Sequence, residues 1–68
     1  MPIIRVEIFK GRTAEQKKAI ARELIDGFIR GAGGGSPDSF NVVFVDVEKQ
    51  DWAHGYEMMS EKYPDKKG

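Results

Sequence analysis

One amphipathic helix pattern lies between two apolar strand patterns, and little else in the chain is large enough to fold. Nothing constrains the architecture more. Ile3 to Phe9 reads as a strand, with Ile4, Val6 and Ile8 on one face and Arg5 and Glu7 on the other. Lys10-Gly11 ends it. Thr13-Ala14-Glu15-Gln16 then matches a capping box, in which the Thr13 hydroxyl accepts from the Gln16 amide and the Gln16 side chain reaches back. Glu15 suits the positive end of the helix dipole. Ile20, Ala21, Leu24, Ile25, Phe28 and Ile29 form one apolar stripe on a helix of about 17 residues. Lys17, Lys18, Arg22 and Asp26 lie on or near its other side, and Gly31 with Gly33-Gly34-Gly35 stops it. Ser36-Pro37-Asp38-Ser39 makes a turn. Phe40 to Val47 follows as a second strand, so nearly apolar that it reads as buried on both faces.

Strand, helix and strand in this order predict parallel pairing with a right-handed crossover. The expected fold class is α/β: a single β-α-β unit with parallel strands and a short C-terminal hairpin around Trp52 to Met58, assembling into an oligomer. One domain is expected over residues 1–68. Assembly follows from size, because a 68-residue chain buries only about 60% of the surface its unfolded form exposes. Disulfides and thiolate zinc sites are excluded by the absence of cysteine, and one histidine cannot make a His-rich metal cluster. No cofactor or metal is expected. Self-association is left to cover the open sheet edges and the bare sheet face.

The charge balance, 11 basic against 11 acidic residues, gives no basic footprint for nucleic acid. Lys62, Lys66 and Lys67 come nearest to one, but Glu61 and Asp65 interrupt them. No apolar run approaches a membrane span, and the N-terminus lacks the apolar core of a signal peptide, so a cytoplasmic location is expected.

Pro2 follows the initiator methionine, and removal of Met1 would leave a free secondary amine. An N-terminal amine titrates at about 7.7–8.0, and an apolar pocket lowers that, which makes a general base at neutral pH. The plain alternative is that a proline here reflects only processing. Arg12 lies between a strand end and a helix start, where α/β units place ligands, and its guanidinium suits a carboxylate. Otherwise it is a solvent-exposed arginine with a loose ion pair. The glycine run lacks the Gly-Lys-Ser/Thr of a phosphate loop and follows a helix, so it reads as a connector. Trp52, His54 and Tyr56 alternate, and a strand would put all three on one face, as an aromatic wall for a planar ligand or as subunit packing. Met58 and Met59 read as interface packing, and Asp46, Glu48 and Asp51 as solvated.

In this order the pieces resemble the 4-oxalocrotonate tautomerase family, whose members use an N-terminal proline. The matching residues are Pro2-Ile3-Ile4, Glu7-Ile8 and Gly11-Arg12-Thr13 with Glu15-Gln16-Lys17, then Asn41-Val42-Val43-Phe44-Val45 and Trp52-Ala53-His54-Gly55. The similarity runs from Pro2 to about Glu61. It implies an enzyme interconverting enol and keto forms of a small unsaturated carboxylic acid, built as a homohexamer, a trimer of dimers. Pro2 would be the base, Arg12 would hold a substrate carboxylate, and Trp52 would line the pocket. Two departures stand out. Asn41 occupies the position of a second arginine common in the family and brings no positive charge. His54 replaces a usual aliphatic residue and is placed to bind substrate or activate water. Hydration or dehalogenation of an unsaturated acid, with Pro2 as acid and His54 positioning water, is therefore a second expectation. A non-catalytic subunit of a mixed oligomer is a third.

Overall fold

The computed structural model describes residues 1–64; the end of the lysine cluster, Lys66 and Lys67, lies outside them. Ile3–Phe9 form β1, Ala14–Ala32 form α1 and Asn41–Val47 form β2. The two strands pair in parallel, from Ile3 beside Asn41 to Phe9 beside Val47. Single 3₁₀ turns occupy Pro37–Ser39 and Lys49–Asp51. Ala53–His54 (β3) and Glu57–Met58 (β4) form an antiparallel hairpin, and Met59–Lys62 (α2) add one helical turn. The expected β-α-β unit with a short hairpin is the observed fold.

The helix starts where its capping box predicts. The Gln16 amide donates to the Thr13 hydroxyl at 3.1 Å, and the Thr13 amide donates to the Gln16 side-chain oxygen at 2.9 Å. It ends later than expected, running through Gly31 to Ala32 over 19 residues. Gly31 keeps helical geometry, at a cost of about 1 kcal/mol relative to alanine. Gly33 is the residue that turns left-handed, at φ +79°. The amides of Gly33 and Gly34 both reach the Ile29 carbonyl, at 2.9 and 3.0 Å, and close the end.

The second strand begins at Asn41 rather than Phe40, because the Phe40 amide is held by the Pro37 carbonyl at 3.2 Å in the preceding turn. Phe40 packs instead against the helix, its ring edge-on to Phe28 with centroids 5.0 Å apart. No residue of β2 is fully buried, and on the face away from the helix only the last part of the strand, Val45 and Val47, is even half-buried. Ile4, Val6, Ile8, Val42 and Phe44 share one face and are half-buried. Asp46 lies on that same face and bonds Lys17 of α1 at 2.8 Å. On the other face Ile3 is 69% exposed and Val43 43%, beside an exposed Arg5–Glu7 pair at 3.4 Å. One helix covers one face, and the second is covered only at its far end, where Trp52 and Tyr63 pack on Phe9.

The core is correspondingly thin. Met59, 6% exposed, is the one buried hydrophobic side chain among the described residues. Its amide donates to the Trp52 carbonyl at 2.8 Å and ties α2 to the start of the hairpin. The radius of gyration is 15.2 Å, where a compact chain of this length would have about 11 Å. The accessible surface is 5590 Å², against about 4300 Å² for a compact monomer of this mass. The protomer is an open plate with one side bare from Ile3 to Glu7. No helix among the described residues is long and apolar enough to cross a membrane.

Candidate active site

The residues singled out by sequence fall at opposite ends of the β1–β2 ladder. Pro2 heads β1, and its carbonyl accepts the Asn41 amide at 3.0 Å, one rung before the first paired residues. The ring is half-buried, and Met1 beyond it is 90% exposed. Asn41 is exposed beside Ile3. Parallel register therefore places Pro2 and Asn41 together.

At the other end the Lys10 amide adds a rung to the Val47 carbonyl at 2.9 Å, and the chain turns at Gly11, whose φ of +133° favours glycine. Arg12 follows, its guanidinium donating to the Phe9 carbonyl at 3.4 Å. Neighbouring ammonium groups are neutralised: Lys10 pairs with Glu48 at 3.0 Å and Lys17 with Asp46 at 2.8 Å. Asp46 and Glu48, expected to be solvated, are exposed, and each also holds a lysine. The hydrogen bond and charge of Glu48 hold the Lys10 ammonium above its usual 10.5. Arg12 has no carboxylate partner among the described residues. Its guanidinium charge is uncompensated at the mouth of the ladder.

The turn at Lys49–Asp51 brings Trp52 onto Phe9, ring centroids 4.5 Å apart and tilted by 59°. Tyr63 approaches the same Phe9 ring at 6.4 Å. Sequence reasoning missed Phe9, which it counted only as the end of a strand. A large aromatic immediately before Lys10-Gly11-Arg12 was the available signal. The expected common face for Trp52, His54 and Tyr56 is not formed. Trp52 precedes β3 and is half-buried, while Gly55 and Tyr56 make the two-residue turn, with Gly55 at φ +65° and Tyr56 fully exposed. His54 is exposed and stands opposite Glu57 across the hairpin. Glu57 is the carboxylate neighbour that the sequence did not identify for it.

The seven-residue β1 separates the Pro2 end from the Arg12 end by roughly 20 Å at about 3.3 Å per residue. One protomer therefore holds two half-sites: a proline with an amide beside it, and a cation with an aromatic wall. The first can move a proton once its nitrogen is free, and the second can grip and stack a planar anion. Among the described residues no three His, Cys, Asp or Glu side chains gather where they could hold a metal.

Relatives carry the same frame. A sequence model described as Tautomerase enzyme matches residues 2–62, beginning at Pro2. A probable tautomerase of Ralstonia nicotianae is 42% identical over 53 residues, covering 78% of this chain and 80% of its own. A probable tautomerase of Lactococcus lactis is 37% identical over 62 residues, covering 91% of this chain and all of its own. The crystal structure of a 4-oxalocrotonate tautomerase homologue superimposes with a TM-score of 0.72 over the full length of both chains, at 28% identity. With the β-α-β frame, the hairpin and a proline heading the first strand all in place, the chain belongs to the tautomerase family.

Proposed function

We propose that the protein interconverts the enol and keto forms of a small 2-oxo or 2-hydroxy unsaturated carboxylic acid, with the Pro2 amine as general base after removal of Met1. The observation that carries this reading is the placement of Pro2. Its carbonyl is committed to the ladder through Asn41, so the ring is held in place while its nitrogen, once Met1 is gone, bears a lone pair that no backbone bond uses. That amine takes a proton from the enol oxygen or from carbon and returns it to another carbon. No other reactant is consumed. Arg12, lacking a protein carboxylate among the described residues, holds that of the substrate, Trp52 lines the pocket and Asn41 donates a hydrogen bond to the substrate oxygen.

Because the half-sites stand a strand's length apart, the working site joins the Pro2 end of one copy to the Arg12 end of another. A homo-oligomer, a hexamer built as a trimer of dimers, does this and also covers the bare sheet face. His54, opposite Glu57, joins the pocket as a binding residue. The test is the pH profile of kcat/KM on a carboxylated enol, with intact mass confirming that the chain starts at Pro2. A neutral amine base loses activity as pH falls through its pKa. Activity lost on the alkaline limb instead would mean that Pro2 acts as an acid, with His54 positioning water for hydration.

A further inference from the structure

We propose that Phe9 determines specificity, so that the site prefers a substrate with one carboxylate and a planar apolar body over an unsaturated dicarboxylate. This rests on the tautomerase reading above and adds the substrate class. Phe9 connects the parts of the far half-site. Its carbonyl accepts from the Arg12 guanidinium at 3.4 Å, and its ring meets Trp52 at 4.5 Å and Tyr63 at 6.4 Å. A carboxylate gripped by Arg12 therefore has aromatic surface directly beside it. A planar conjugated or aryl body stacks there, whereas a second carboxylate would be desolvated against rings.

The other half-site points the same way. Beside Pro2 stands Asn41, which is neutral. The nearest cation further along that sheet face, Arg5, is already paired with Glu7 at 3.4 Å. A distal carboxylate would thus meet an amide, a compensated arginine and the Glu7 carboxylate. One anionic group is matched by one uncompensated cation, and the lining around that cation is aromatic.

The experiment compares kcat/KM for two probes, phenylenolpyruvate as the aryl monocarboxylate and 2-hydroxymuconate as the dicarboxylate, on the processed wild type, Phe9→Leu and Phe9→Ala. The wild type should favour the aryl probe by about two- to tenfold, the factor that one good aromatic contact supplies. Phe9→Leu, which keeps apolar bulk and the main-chain carbonyl, should lose most of that preference through a higher KM for the aryl probe. Its oligomer size should be unchanged, and its kcat/KM for the dicarboxylate should fall several-fold less than that for the aryl probe. Phe9→Ala should lose more. A wild-type preference for the dicarboxylate, or an equal fall on both probes in Phe9→Leu, overturns the assignment and leaves the tautomerase standing. Turnover of neither probe defeats both.

Discussion

The two ends of the β1–β2 ladder contain the same kind of rung but are built differently. At the Pro2 end the Asn41–Pro2 hydrogen bond is the main tie and Ile3 is 69% exposed. At the Arg12 end the Phe9–Trp52 stack, the Lys10–Glu48 pair and the Lys17–Asp46 pair gather within a few residues. In a parallel pair both chains leave at the same end. Loops with room for side chains accumulate there, as α/β folds generally show. The other end receives the residues before the first strand and the connector from α1, whose 3₁₀ turn leads into β2 at Asn41. A terminal amine is naturally at the sparse end and a ligand grip at the crowded one, so a site using both is shared between copies.

The largest effect should come from the sparse end. Pro2→Ala, with Met1 removed, should lower kcat/KM on a carboxylated enol by about 10²- to 10⁴-fold, the usual contribution of a general base. Native mass spectrometry should show the same assembly as the wild type. A fall under tenfold would remove the proline from the chemistry. Next comes a mixing experiment that could break the comparison outright. Pro2→Ala and Arg12→Ala proteins, each impaired, should regain activity after subunit exchange, to about one quarter of wild-type sites if two copies contribute at random. No regain after proven exchange would place both residues in one protomer's site.

Arg12→Ala alone should raise KM by about 10- to 100-fold, since a hydrogen bond to a charged group is worth about 1.5–3 kcal/mol. The loss should be confined to substrates with a carboxylate, and an equal loss on an uncharged analogue would assign Arg12 to folding. A smaller effect belongs to neither end. Gly33→Ala places a β-carbon on a residue at φ +79° and should cost about 1–2 kcal/mol in urea unfolding at fixed protein concentration. Smallest of all, Lys17→Met, which keeps the stem and removes the half-exposed ion pair, should cost under about 1 kcal/mol. A greater cost would make the crowded end a fold determinant as well as a binding one.

The strands, the capped helix and the hairpin were legible because each depends on residues close in sequence. Thr13 and Gln16 are three residues apart, and Ile4, Val6 and Ile8 show their shared face by parity alone. The separation of Pro2 from Arg12 was also implicit once Ile3 to Phe9 was read as extended. Other features were not legible. Lys17 and Asp46 meet across 29 positions, and nothing local to Asp46 announces a lysine on the helix above it. Phe9 and Trp52 look alike as aromatics whether stacked or apart. Tyr56 seemed to continue an alternation, but the left-handed Gly55 had already turned the chain. Apolar content at Val43 and Val45 was read as two-sided burial, but in the protomer Val43 is 43% exposed and Val45 only half-buried.

Sequence alone determined the β-α-β unit, its capped helix and the proline at its head, because periodicity, parity and capping are settled within a few residues. Tertiary structure decided which residue stands beside which. It set Asn41 rather than a cation next to Pro2, left Arg12 without a carboxylate among the described residues, and laid Trp52 on Phe9. Those neighbours depend on strand register and on the path of the 3₁₀ turn. Both exist only once distant segments have paired.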